Sequence, residues 1–375
     1  MENMKQLAAA VGCGKYPERW DDIFPDVLRE YREKGCEYIR PEYYADLSRK
    51  YGILEKHLPL YQEAAEAVGR DEALTLFLFV MCRGLSQTEY HEADIAAFSQ
   101  PTKENTLGYR MLQALALASL ADQCYDLLVA RGLPEEKIRG VMRLPEGGIS
   151  YYANRHDGEK GYDLLDWYQL ATDGKLFPVG RLEYELFTTF HGYAKVFENQ
   201  GKTITLSTDG LQEKQDCWLG YPLDPNGAAG DEQVSLPKAE WICKLAPGDP
   251  VVGVHIPPGG GLTPEIVDES LQEAKLFIRT YFPDYQYKAF TCHSWLMDPQ
   301  LQAILGQDTN IVKFQKRFAI TPAESSGRGA LNFVFYKPDP NVDLTALPEN
   351  TSLERSIKGH YLSGKSLCEL IGYFF

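Results

Sequence analysis

Val251-Val252-Gly253-Val254-His255-Ile256-Pro257-Pro258-Gly259-Gly260-Gly261-Leu262-Thr263-Pro264 reads as three local structures in succession. Val251, Val252, Val254 and Ile256 are β-branched and favour an extended strand. Pro257 and Pro258 offer no N–H and end it. Gly259, Gly260 and Gly261 tolerate positive φ and let a backbone come close to a ligand. Thr263 is a good N-cap and Pro264 a good first helical residue. A helix is predicted over Pro264–Tyr281, where Val267, Leu271, Ala274 and Ile278 share one face. Tyr287–Leu296 is then predicted as a second strand. A strand–helix–strand crossover is right-handed and its strands are parallel. Ligands of such units collect beyond the carboxyl ends of the strands.

Around this unit the alternation continues. Strands are predicted over Arg181–Phe190, Lys202–Ser207, Trp241–Leu245, Val312–Ile320 and Leu331–Tyr336. Asp216–Pro237 reads as loop-rich and Pro299–Leu305 as a short helix. Thr351 and Glu354 have the spacing of a capping box that opens a last helix. Upstream the period is helical: Arg19–Lys34, Ile53–Val68, Asp71–Arg83, and a long Asn105–Arg131 stopped by Gly132 and Pro134. Pro145–Gly161 reads as irregular. The expectation is a helical N-terminal domain (1–145) and a mixed α/β domain (146–375), an α/β (α+β) fold overall.

The chain has 375 residues, and 53 acidic against 38 basic residues leave a formal charge of −15. Such a surface repels phosphodiester backbones and anionic headgroups, so neither nucleic acid nor membrane is expected as a partner. The eight cysteines form no CxxC pair, which suits reduced thiols in a reducing compartment. Met1–Lys5 lacks a signal-peptide layout. The most apolar run, Ala73–Cys82, falls short of the roughly 20 residues that span a bilayer. A cytoplasmic location is expected. Metal-ligand spacings of the HxH or HExxH kind are missing, so no metal is expected.

For the glycine loop there are two readings. One is a cradle for phosphate or pyrophosphate on Gly259–Thr263, because the start of a helix presents N–H donors and partial positive charge. The other is a tight connection that needs glycine only for geometry. Glu265, Asp268 and Glu269 weigh against the cradle by placing negative charge on the helix start. His255 and His293 fall near the carboxyl ends of the two strands. Within Cys292-His293-Ser294, neighbours point to opposite faces, so His293 activates neither, and a thiol dyad would need His255 or His191. Arg181, Glu183 and Glu185 share one strand face, and two carboxylates at i and i+2 lie about 6.5–7 Å apart. That face is either solvated or an acid/base pair.

Taken together, Gly180–Glu185, Pro247-Gly248-Asp249, His255-Ile256-Pro257 with the three glycines, Ser294–Pro299 and Phe314-Gln315 resemble two-domain bacterial GNAT-like acyltransferases. These couple a helical N-acyltransferase N-terminal domain to a GNAT-like C-terminal domain. The resemblance implies transfer of an acetyl or other acyl group from acetyl-CoA or another acyl-CoA to an amine of a small molecule. It implies a co-substrate site on Val254, Ile256, Gly259, Gly260, Gly261, Leu262 and Thr263. The family's loop begins with Arg or Gln, where this chain has Ile256. His255 or His293 is the expected base, with Glu183 as the second choice and Tyr281, Tyr285 and Tyr287 as candidate acids. Two other readings stand beside it: a non-catalytic GNAT-like module that binds a ligand or partner, and a carboxylate-based hydrolase built on Glu183.

Overall fold

A computed structural model describes residues 1–87, 98–339 and 341–375. The chain divides into two compact units, Met1–Phe177 and Pro178–Phe375. The expected boundary at 145/146 lies inside the first unit. There Pro145–Gly161 is not irregular: Leu144–Glu146 makes a 3-10 turn and Gly147–Arg155 a helix.

The first unit is helical, as its sequence period requires. Arg19–Lys34 and Glu72–Leu85 form close to their predicted spans. Asp71 starts the second of these by accepting the N–H groups of Ala73 and Leu74, and its residues from Leu74 to Cys82 are all buried. Two predictions needed correction. The helix expected over Ile53–Val68 runs over Leu58–Gly69. The one expected over Asn105–Arg131 is two, Leu107–Ala118 and Ala121–Ala130. The Ser119 hydroxyl donates to Ala116 O at 2.6 Å at the break, a local bond that competes with helix continuation.

The second unit is built on strands β1 (Leu176–Val179), which crosses the boundary, β2 (Leu182–Thr189), β3 (Ala194–Asn199), β4 (Lys202–Ser207), β5 (Gln212–Glu213), β6 (Cys217–Gly220), β7 (Val234–Pro237), β8 (Ile242–Leu245), β9 (Pro250–His255), β10 (Phe290–Ser294), β11 (Ala319–Thr321) and β12 (Leu370–Phe374). β6 and β7 occupy part of the stretch read as loop-rich. The main sheet has the order β1-β2-β9-β10-β12-β11, and two small sheets, β4-β3-β8 and β5-β6-β7, accompany it. The decisive pair, β9 and β10, lie side by side and parallel, while β2 pairs antiparallel with β9 and β12 antiparallel with β10. The helix Pro264–Tyr281 between them has the predicted bounds. Its Ser270 hydroxyl donates to Val179 O at 2.6 Å and accepts the N–H of Leu182, pinning it to the β1–β2 turn.

Two predicted strands proved otherwise. Val312–Ile320 begins as the helix Asn310–Gln315, capped by Thr309, and only Ala319–Thr321 is extended. Leu331–Tyr336 belongs to the helix Gly329–Phe335. β12, laid between β10 and β11, was not predicted. One core cluster of this unit joins Phe190, Val196, Leu245, Val251, Ala289, Ile371 and Tyr373.

Candidate active site

The β2–β9 ladder places Glu183 opposite His255 and Glu185 opposite Gly253. Directly opposed residues present side chains on one face, so Glu183, Glu185 and His255 gather there. Gly253 makes this close approach workable. A Cβ on it would lie 3.0 Å from His255 Nε2 and 3.2 Å from Glu185 Cβ. In the space it leaves, His255 Nε2 and Glu185 Oε2 meet at 2.9 Å, with the two side chains 25% and 13% exposed. Glu183 lies beside them half-buried. Burial pushes its carboxyl above the ordinary carboxylate range, opposed by the positive fields of His255 and Arg181. The face read as either solvated or chemical therefore holds a histidine–carboxylate pair with a second, proton-avid carboxylate.

β9 and β10 part at this level. Their ladder runs over Phe290↔Val252 and Thr291↔Gly253. Val252 donates its N–H to Ala289 O at 3.0 Å, towards β10. By the two-residue period of a strand, the peptide groups of Val254 face the same way. Beyond Thr291, β10 continues its pairing with β12. The ladder ends there, so past the Val254 N–H the β9 backbone, from the Val254 carbonyl to Ile256, runs beyond the β10 pairing on that side. A β-bulge between Glu185 and Thr188, with Phe187 at φ 63°, distorts β2 on the other flank.

The gap leads to the glycine loop. Gly259 and Gly260 adopt φ of 96° and 25°. Arg181, at the foot of β2, donates from Nη2 to Gly259 O at 2.7 Å and Gly260 O at 3.1 Å, and from Nε to Gly261 O at 3.3 Å. Thr263 caps the following helix by accepting the Ile266 N–H. Of the acidic groups at the helix start, Asp268 is paired with Arg317, which also donates to Pro264 O at 3.1 Å.

His293, on β10, is exposed, and its Nε2 lies 3.2 Å from Glu324 O. Desolvation holds its pKa below the ordinary value. The Glu324 carbonyl and Glu369 charge pull upward, and His191 and His255 are near enough to push it down further. His191 sits 3.3 Å from the Thr189 hydroxyl. Glu324 opens a loop tied to Glu369. That carboxylate accepts hydrogen bonds from the Ser325 hydroxyl at 2.5 Å and from the amides of Ser326, Gly327, Arg328 and Gly329. No sequence pattern singled out Glu369, and its donors lie some 40 positions upstream.

Other named residues have structural duties. Tyr285 donates to Val251 O at 2.5 Å and accepts the Phe187 N–H, and burial pushes its phenol up to about 12. It latches the bulge. Tyr287 packs on Phe290 and Tyr281 on Phe277. Cys292 is buried, its thiol pushed up to about 12, which is the reverse of an activated nucleophile. Asp298 and Gln315 form a buried polar clasp. Gln315 Nε2 donates to the Leu296 and Asp298 carbonyls, and Asp298 Oδ2 takes the Cys368 N–H at 2.7 Å. Among the described residues no cluster of His, Cys, Asp and Glu could hold a metal ion, and no helix is long and apolar enough to cross a membrane.

Residues 176–374 match the family model of the GNAT-like C-terminal domain. An acyltransferase solved in complex with CoA and 10C-teicoplanin superposes with a TM-score of 0.69 at 21% identity, covering 98% of each chain. One in complex with decanoyl-CoA and teicoplanin gives 0.68 at 21%, again over 98% of each. A third, in complex with decanoyl-CoA, gives 0.62 at 21%, over 88% of this chain and 86% of its own. At that identity the likeness is one of fold, and it extends through both units. No curated protein sequence matches the chain.

Proposed function

Since the chain belongs to the GNAT-like C-terminal domain family, we propose that it is an acyltransferase that moves an acyl group from acyl-coenzyme A to an amine of a small molecule. The observation that carries this reading is the His255–Glu185 pair at 2.9 Å, on the strand whose backbone turns into the gap beside β10. A thioester laid along β9 would set its carbonyl against those backbone groups, and its phosphates would reach Gly259–Thr263.

In the proposed reaction the amine attacks the thioester carbonyl, its surplus proton passes to His255, and the C–S bond breaks. Glu185 stabilises the imidazolium that results, much as a buried carboxylate does in other histidine bases. The thiolate leaves and is protonated from solvent. Glu183, with its raised pKa, is the second base candidate. His293 is the alternative on the opposite wall, its ring held by the Glu324 carbonyl. The solved acyltransferases of this fold were crystallised with decanoyl-CoA or CoA and with teicoplanin compounds. We propose acyl chains from acetyl to decanoyl as the range to test, with amino sugars, polyamines and glycopeptides as acceptors.

Isothermal titration of the native protein with coenzyme A and with acyl-CoAs of increasing chain length tests the first half of the proposal. Release of free thiol on addition of each amine tests the second. Absence of heat with every acyl-CoA would favour a non-catalytic module.

A further inference from the structure

The geometry points to Arg181 as the residue that positions the glycine loop, turning its amide groups toward an anion and supplying from outside the loop the positive charge that Ile256 does not bring. This rests on the coenzyme A reading above. Every peptide bond in the described chain is trans, and in a trans peptide the C=O and the following N–H point in opposite directions. Arg181 draws the carbonyls of Gly259, Gly260 and Gly261 to itself. The N–H groups of Gly260, Gly261 and Leu262 are therefore directed away from it. Three successive amides aimed one way form an anion-binding concavity. Without a donor on the carbonyl side, a run of glycines has no reason to hold that orientation, since each samples many conformations.

Arginine suits this duty better than lysine. Its planar guanidinium offers five donors in a fixed fork, whereas an ammonium is a compact point charge on a flexible stem. The placement is tight: a Cβ added at Gly260 would lie 3.3 Å from Arg181 Nε. Arg181 also lies in the turn that enters β2, two residues before Glu183 and near enough for its charge to act on that carboxyl, so the loop and the histidine–carboxylate pair share one support. The departure at Ile256 is thus offset from a neighbouring strand. In this sense Arg181 is a positioning residue. It acts on a bound phosphate through the loop and through its field.

The test uses Arg181→Met and Arg181→Lys in the full chain. Loss of charged hydrogen bonds should weaken coenzyme A binding to the Met variant on the order of tenfold or more, with Lys between it and native. The KM for acyl-CoA should rise while that for the acceptor amine stays put and the melting temperature changes little. In the unliganded protein, the ¹⁵N heteronuclear NOE of Gly259, Gly260 and Gly261 should fall in Arg181→Met. An unchanged NOE overturns the proposal, whether or not the melting temperature drops. So does native-like coenzyme A affinity in the Met variant. A lowered NOE in the variant together with no coenzyme A heat from the native protein would leave Arg181 as the loop's organiser and remove the coenzyme A reading instead.

Discussion

His255 and Glu183 lie opposite each other in one ladder, yet their environments set them apart. His255 has a carboxylate partner at 2.9 Å; Glu183 has burial and no hydrogen bond that offsets it. Replacing His255 with Ala should lower turnover about 10²–10⁴-fold, with acyl-CoA affinity nearly unchanged because the loop amides are untouched. Steady-state kinetics paired with calorimetry would check this. If turnover survives, the base is His293 or Glu183. The raised pKa of Glu183 carries a sign for stability. Its folded-state pKa exceeds its unfolded one, so the folded form binds the extra proton, and ionisation destabilises the fold progressively as pH rises through that window. Glu183→Gln removes the burden. Its melting temperature should match native near pH 4 and exceed it at pH 7.5. A gap that shrinks with rising pH would contradict the assignment.

At the scale of elements, one long-range contact explains an error in reading the sequence. Leu331–Tyr336 has the apolar character of a strand but forms the helix Gly329–Phe335. The Glu369 carboxylate gathers the amides that open it, and that partner lies beyond any local pattern. Burial alone would raise the Glu369 pKa, but the bonds from Ser325, Gly327 and Gly329 outweigh it and the pKa is lowered. Its contribution to stability is present above the unfolded value of about 4.3 and is lost as pH falls through the lowered folded one. Glu369→Gln would set an NH₂ against backbone donors and should cost about 1–3 kcal/mol at neutral pH. The deficit should close on acidification, as urea melts at several pH values would reveal. Where information was local, the sequence served well. Pro264–Tyr281 was bounded by Thr263, Pro264 and its apolar stripe, and β9 by its β-branched run. β12 escaped because Leu370-Ile371-Gly372-Tyr373-Phe374 is short, apolar and interrupted by glycine, a pattern that fits several structures. The histidine–carboxylate pair was half legible. The i, i+2 carboxylates were visible, but the register with β9 sets Glu183 opposite His255, and only the space left by Gly253 lets the ring meet Glu185 instead.

For the molecule as a whole, β1 matters because it spans the boundary between the two units and forms one edge of the main sheet. A fragment of residues 174–375 should fold by itself and melt cooperatively in circular dichroism. One starting at 178 loses half of β1 and should melt several degrees lower, a shift that corresponds to about 1 kcal/mol or more in a domain of this size. Equal melting temperatures for the two would show that β1 contributes nothing to the second unit.

The position of β12 bears on how the protein is made. A ribosome delivers β9, the connecting helix and β10 well before Leu370–Phe374 emerges, yet β12 is the partner of both β10 and β11. During that interval β10 carries an unpaired edge, the kind of surface that recruits strands from other chains. A stop codon at position 370, which removes Leu370–Phe374, makes that interval permanent. Such products should be cleared by proteases or collect in inclusion bodies, even though every residue of the candidate active site has already been synthesised.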